Sequence, residues 1–414
     1  MRVVLFTGKG GVGKTTTAAA TALHAARCGV KTLVISADPA HSLADTLGVP
    51  LDAQPTEVVA GLFGQQVDPH SRSERSWREI QQYLVTALAE LGVDPLTAEE
   101  LTELPGADEV FSLLEVRDQV EHGPWDLVVV DCAPSTETLR LLAAPEVLNR
   151  YLQRLLPMER RIARIVSIGR RPGWPSGGAR AGSASAGAPL PLPGDGVVEA
   201  AERFAAELAA AEQVLRSPST SIRLVLTAES VVLAETRRTW TALALHGFPV
   251  DLVIANRVFP AGTGDDWRRQ WAEAQAKVLA EAETSFAPVP VLAASYAGGE
   301  PVGVSALAAL AESLYGPATP EAATDLLAAP TAAGPFTVER VDDGFELRLR
   351  LPLAARAELD LGRRGDDLVV TVGGRRRVLA LPGALRRCQV DGAVLRDGVL
   401  AVRFVPDPTL WRSL

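Results

Sequence analysis

The run Gly8-Lys9-Gly10-Gly11-Val12-Gly13-Lys14-Thr15 limits this chain more than any other stretch. It matches the pattern G-x-x-x-x-G-K-[ST], which is a P-loop where a strand precedes it and a helix follows. Both flanks read that way. Val3-Val4-Leu5-Phe6 is a short apolar run of the kind buried in a parallel sheet, and Thr16 to Arg27 is Ala-rich and helix-forming. Glycines let backbone N–H groups crowd round a polyphosphate without Cβ clashes, and a helix N-terminus adds partial positive charge there. The pattern therefore predicts an α/β fold, a P-loop NTPase with a mostly parallel sheet flanked by helices. Gly8, Gly10, Gly11, Val12, Gly13, Lys14, Thr15 and Thr16 are expected around the phosphates of ATP. Lys14 would contact the β- and γ-phosphates, and the Thr15 hydroxyl would hold Mg²⁺.

Lys9 narrows the reading. The chain has four lysines, Lys9, Lys14, Lys31 and Lys277, and two of them stand in this loop. A compact ammonium suits a place where the planar arginine fork does not fit. A lysine directly after the first glycine resembles the deviant Walker A ATPases, in which it reaches across a homodimer to the partner's nucleotide.

Three later stretches bear chemistry. Thr32 to Ser36 reads as a buried strand followed by Ala37-Asp38-Pro39-Ala40-His41-Ser42-Leu43. Asp38 thus sits at a strand's C-terminal end, where ligands bind in open α/β sheets. A carboxylate there can orient an attacking water or cap the helix before Pro39. Asp126 to Asp131 is the clearest buried strand, and the aspartate ending it has the Walker B position, holding Mg²⁺ directly or through water. Val250 to Ala255 is a strand ending in Asn256-Arg257.

In this order the stretches resemble the ArsA family, which contains arsenite-pump ATPases and tail-anchored-protein targeting ATPases. The run from Ala37 to Leu43 resembles its switch I, which puts Asp38 in the catalytic position and leaves His41 as a structural hydrogen bonder. The family's switch II reads D-T-A-P-T-G-H-T-L-R. The run Asp131 to Arg140 departs from it notably at Cys132, Thr136 and Glu137. Cys132 reads as a small buried residue in preference to a redox or metal thiol. Asn256 matches the family's adenine-binding asparagine, with a turn cap as the alternative. Ala294 to Val302 resembles the segment that covers the adenine.

For residues 1 to about 316 the resemblance implies an ATP hydrolase dependent on Mg²⁺ and working as a nucleotide-gated homodimer. Asp38, Lys9 and Lys14 would be catalytic, with Thr15 and Asp131 at the metal. Closure would bind and release a protein client with a hydrophobic surface, as a targeting factor or chaperone does. Two alternatives stand beside it. One is a non-enzymatic nucleotide-gated binding module. The other is a metalloid (arsenite) efflux ATPase, disfavoured because Cys28, Cys132 and Cys388 are scattered where a soft metalloid needs clustered thiolates.

Residues about 54–122 and 145–220 read as helical insertions. Trp77, Ile80, Leu84, Leu88 and Leu91 recur at helical spacing, and Pro95 and Pro105 break the region. Leu148 to Ile168 reads as helix, Gly169 to Gly196 as a loop rich in Gly, Pro, Ser and Ala, and Val197 to Leu215 as helix again. With two methionines in the chain, a methionine-lined client groove is not expected. Pro317 to Pro335 reads as a linker with one short helix. Residues 336–405 alternate apolar and polar residues between turns such as Gly373-Gly374 and Asp397-Gly398, which predicts an antiparallel sandwich, with a tail at 406–414. Its end, Asp397-Gly398-Val399-Leu400-Ala401-Val402, resembles an α-crystallin (small heat shock protein) domain. With an alternation of its own, the sandwich is expected to fold by itself, so that deleting residues 336–414 leaves ATP binding intact.

A formal net charge of −9 disfavours nucleic-acid partners. No stretch approaches the ~20 apolar residues of a membrane span. Free cysteines suit a reducing compartment, so a cytoplasmic protein with no integral membrane segment is expected.

Overall fold

A computed structural model describes residues 1–37, 42–67, 72–90, 94, 107–135, 138–140, 142, 195–260, 262, 265–329, 336–341 and 343–409. The chain divides into two units. Met1–Val67, Gln119–Leu139 and Leu215–Leu414 form the first, and Asp68–Asp118 with Arg140–Val214 the second.

The first unit is built on eight strands. In chain order they are β1 (Arg2–Gly8), β2 (Thr32–Ser36), β3 (Thr56–Val59), β4 (Leu62–Gln66), β5 (Leu127–Asp131), β6 (Thr220–Thr227), β7 (Val250–Val258) and β8 (Val291–Ser295). They form one sheet in the order β3-β4-β2-β5-β1-β6-β7-β8. Each neighbouring pair is parallel except β3 and β4. Every residue of β1, β2, β5 and β6 is buried, as expected of central parallel strands covered on both faces. The helix Lys14–Arg27 packs on the sheet and against the helix Gly303–Tyr315. Small side chains permit the close approach: Ala18, Ala22 and Ala25 are fully buried.

The mostly parallel sheet is the one the apolar runs predict. The region read as helical from residue 54 differs: strands β3 and β4 occupy 56–66. Gly61, at φ +82°, turns the chain between them, and the fully buried Leu62 opens β4 beside β2. A four-residue and a five-residue strand are too short for a period to show, and tertiary pairing decides them. The second unit accordingly begins at Asp68. Within it lie the helix Arg72–Glu90 and most of the helices Ala107–His122 and Asp195–Leu215. Ile80 is buried, and Trp77 lies 5.6 Å, centroid to centroid, from the fully buried ring of Phe204. The side chains of Leu84, Leu88 and Leu91, Pro95, Pro105 and residues 143–194 lie outside what is described. The helix over 197–215 starts two residues earlier than read, at Asp195. The short helix in the linker is Pro320–Leu327, capped by Thr319, whose hydroxyl accepts from Ala322 N at 3.3 Å.

Beyond Phe336 come β9 (Thr337–Val341), β10 (Gly344–Arg350), β11 (Leu359–Arg364), β12 (Asp367–Val372), β13 (Arg375–Ala380), β14 (Cys388–Arg396) and β15 (Val399–Pro406). They make a four-stranded antiparallel sheet, β14-β15-β10-β9, and a three-stranded one, β11-β12-β13. Gly373-Gly374 and Asp397-Gly398 both take φ > 0 at two successive residues, the primed hairpin turn. The alternation puts Leu347, Leu349, Val370, Val372, Leu400, Val402 and Phe404 into one core. Leu245, from the helix Ser230–His246, is fully buried in that same core. The expectation of a free-standing sandwich therefore needs correcting. Its core is completed by a residue of the nucleotide-type domain, and Phe336 packs against it.

Candidate functional site

The C-terminal ends of β1, β5, β6 and β7 place the expected residues. β1 delivers Gly8 into the loop, and the helix starting at Lys14 leaves it. Two glycines are there for necessity. A Cβ on Gly8 would stand 2.1 Å from Val225 O of β6, and one on Gly13 would stand 2.3 Å from Asn256 Nδ2. Gly13 also has φ +93°, in the left-handed region. Gly10 and Gly11 border open space within 4 Å of their Cβ positions.

Gly13 caps the helix without a side-chain hydrogen bond. The first-turn N–H groups are thus left for an anion at the helix's positive end. Thr17 turns its hydroxyl back onto Gly13 O and Lys14 O, both at 2.9 Å. Lys14 is 7% exposed, and its ammonium has no carboxylate partner among the described residues. Thr15 Oγ1 lies 3.1 Å from Ser42 Oγ. Thr16 is half-buried beside it. Asp131 closes β5 at 0% exposure, in register with Phe6 of β1 and Ser36 of β2. Hydroxyl and carboxylate oxygens are the donors that hard divalent cations take, and helix N–H groups with a buried ammonium suit a polyphosphate. The residues present therefore fit Mg²⁺ and a nucleotide.

Asn256, expected just after the strand, lies within β7, two residues before its end. Its Nδ2 donates to Val12 O at 2.9 Å, and its Oδ1 accepts from Arg257 N at 2.9 Å. It clasps the phosphate loop from below. Arg257, at φ 59°, is held in this unfavourable region by that bond and by Gln275, whose Nε2 donates to Arg257 O at 3.1 Å. Gln275 Oε1 accepts from Phe259 N at 2.7 Å, and the Phe259 ring stacks on Tyr296 at 5.1 Å. The loop after β7 and the segment after β8 are thereby tied together. Asp38 and His41 lie outside the described residues, as do Thr136 and Glu137.

Sequence reasoning missed several members of this site. Ser42 stands at the end of the Asp38 run, where its hydroxyl was a usable signal. Ser135 Oγ donates to Glu235 Oε1 at 3.1 Å, and Glu235 Oε2 lies 3.8 Å from Lys9 Nζ. Nothing local marks Glu235, because its partners lie 100 and more residues away. Cys132 is fully buried, as read. A cavity of about 760 Å³ opens at the other end of the sheet, lined by Trp240, Phe248, Leu252, Pro290 and the Asp397-Gly398 turn, and no P-loop residue borders it.

The fold and loop define a P-loop nucleotide-binding protein of the class with a mostly parallel sheet and a lysine after the first glycine. Residues 1–316 match the model of the family described as anion-transporting ATPase, and residues 342–404 match the HSP20-like domain found in ArsA. This chain belongs to the ArsA family. An uncharacterized protein of Streptomyces coelicolor is 42% identical, with 99% of each chain covered. A protein of Prosthecochloris vibrioformis named "Putative arsenical pump-driving ATPase" is 34% identical over 98% of this chain and 96% of its own. A Paramecium tetraurelia protein named "ATPase ASNA1 homolog 1" is 33% identical over 39% of this chain and 48% of its own.

Proposed function

We propose that this chain hydrolyses ATP with Mg²⁺, that two copies close on each other when nucleotide binds, and that closure binds and releases a protein client. The observation carrying the reading is the pairing of an uncapped helix N-terminus with the buried Lys14, whose ammonium lacks a carboxylate partner among the described residues. Burying an unpaired ammonium costs several kcal/mol unless an anion arrives. Thr15, Asp131 and Ser42 would hold Mg²⁺ or its waters, and the ion would supply charge neutralisation at the phosphates. Lys14 takes charge on the phosphoryl group in cis, Lys9 does so across the dimer, Asn256 borders the base, and Asp38 orients the attacking water.

The β-domain shares its core with Leu245 of the helix Ser230–His246, which supports a role in presenting or remodelling a client surface when nucleotide binds. Residues 1–316 act as the ATPase domain and 336–405 as the attached sandwich. The placement is cytoplasmic; among the described residues no helix is long and apolar enough to cross a membrane.

Calorimetric titration with Mg·ATP tests the first step: Lys14→Ala abolishes measurable binding, and unchanged affinity refutes the nucleotide site. Light scattering with a non-hydrolysable analogue tests the second. Wild type doubles its mass, Lys9→Ala closes more weakly, and a wild type that stays monomeric with every nucleotide refutes the dimer.

A second reading, a nucleotide-gated module without turnover, is favoured by Cys132, Thr136 and Glu137 where the family has Thr, Gly and His. Single-turnover hydrolysis separates the two. Arsenite transport, suggested by the names of relatives, fits less well. Cys28, Cys132 and Cys388 are each buried and in no disulfide, and they are scattered along the chain where a soft site needs clustered thiolates.

A further inference from the structure

Glu235 stands where two parts of the site meet. One carboxylate oxygen, Oε1, accepts from Ser135 Oγ at 3.1 Å, and Ser135 is 4% exposed. The other, Oε2, faces Lys9 Nζ at 3.8 Å, with the two side chains 30% and 41% exposed. Ser135 belongs to the stretch that follows Asp131. That stretch is fastened at its far end: Thr138 Oγ1 donates to Ala133 O at 2.6 Å and accepts from Thr7 Oγ1 of β1 at 3.0 Å. Glu235 fastens its middle to the helix Ser230–His246.

A long lysine on a glycine-rich loop would otherwise sample many rotamers. A carboxylate already oriented by a buried hydroxyl gives it one preferred position at little further entropic cost. The contact is half-exposed and long, so it biases Lys9 without trapping it. An anion arriving in the loop then competes with the carboxylate for the same ammonium. These are the properties needed by a residue that must be held in one place and released to another.

We infer that Glu235 is a positioning residue, which parks Lys9 on its own protomer before nucleotide arrives and, through Ser135, ties that parking to the segment after Asp131. The inference rests on the reading above that Lys9 acts across the dimer. It adds a residue that no part of the P-loop motif contains.

The four lysines make a direct test practical. Full-length protein grown with lysine labelled with ¹³C at Cε gives four side-chain signals, and Lys9→Arg identifies that of Lys9. Without nucleotide, Glu235→Gln shifts the Lys9 signal toward the position of a solvated lysine. Ser135→Ala shifts it the same way by a smaller amount. The Lys31 and Lys277 signals stay in place in both variants, which guards against misfolding. A Lys9 signal unmoved in Glu235→Gln overturns the parking, and one that moves there but stays in Ser135→Ala overturns the link to the Asp131 segment.

These measurements require neither hydrolysis nor dimerisation, so they stand apart from the ATPase reading. The second arm uses that reading. With a non-hydrolysable ATP analogue, Glu235→Gln dimerises at a protein concentration lower by up to about fivefold, the range of an exposed ion pair. Closure at an equal or higher concentration than wild type overturns the parking role.

Discussion

Arg377 of β13 donates to the carbonyl oxygen of Leu245, the next-to-last residue of the helix Ser230–His246. The Leu245 side chain meanwhile fills the core of the β-domain. One helix end therefore serves two bodies. The Leu245 carbonyl, one of the last four of the helix, is satisfied by a guanidinium, as helix C-termini favour, and the Leu245 side chain is a member of a core formed about 100 residues later. Thr241, one turn earlier, adds a bond from Oγ1 to Pro352 O at 2.6 Å.

Leu245→Ala therefore destabilises the whole first unit, by about 2–5 kcal/mol for a cavity at a fully buried site. Deleting residues 336–414 exposes Leu245 and leaves the truncated protein with a lower melting temperature than the full chain. Differential scanning calorimetry of the three proteins checks this. Two separate transitions in the wild type, with the first matching the truncated protein, would restore the picture of an independent sandwich.

His246 ends that helix under three arginines. Burial first, then Arg377, Arg216 and Arg375, lower its pKa from 6.5 to about 4. The folded state holds the imidazole neutral, whereas the unfolded chain takes up a proton below pH 6.5. Between about pH 6.5 and 4 the unfolded state binds more protons, so stability falls as pH falls, by up to about 3 kcal/mol, and this contribution is flat outside that window. His246→Gln removes it. Urea unfolding at pH 7 and pH 5 should show the wild type losing stability relative to His246→Gln at the lower pH, and parallel losses would show that His246 does not titrate in this range.

Asn256 clasps Val12 and is proposed to border the base. Asn256→Ala leaves the Val12 carbonyl without its donor, which loosens the loop for any nucleoside triphosphate by a lost hydrogen bond of about 1 kcal/mol. A base contact adds a loss for ATP alone. Titrations with ATP and GTP should show the larger decline for ATP, and equal declines would confine Asn256 to the clasp.

Asp38→Asn keeps the shape of the side chain but removes its negative charge, and with it the carboxylate proposed to orient water. ATP affinity should stay within a few-fold of wild type while turnover falls on the order of 10²-fold or more. Steady-state phosphate release is the measurement, and wild-type turnover in the variant would leave Asp38 a helix cap.

What the sequence determined by itself was local in origin. The glycine loop needs left-handed backbone and close approach, and Gly8 and Gly13 meet those needs where the motif put them. The apolar runs become β1, β2, β5, β6 and β7 because a strand buried on both faces has no polar side to alternate. The period-two runs after Phe336 become hairpins because Gly373-Gly374 and Asp397-Gly398 supply the turns. Tertiary structure decided everything that depends on which strands lie side by side. β6 and β7 pair next to β1, and this alone brings Asn256 to Val12, 244 residues away in sequence, and Glu235 to Lys9. The short edge pair β3–β4 and the capture of Leu245 by the β-domain have the same cause. A four-residue strand or one leucine on a helix is compatible with several surroundings, and it is packing against distant partners that selects among them.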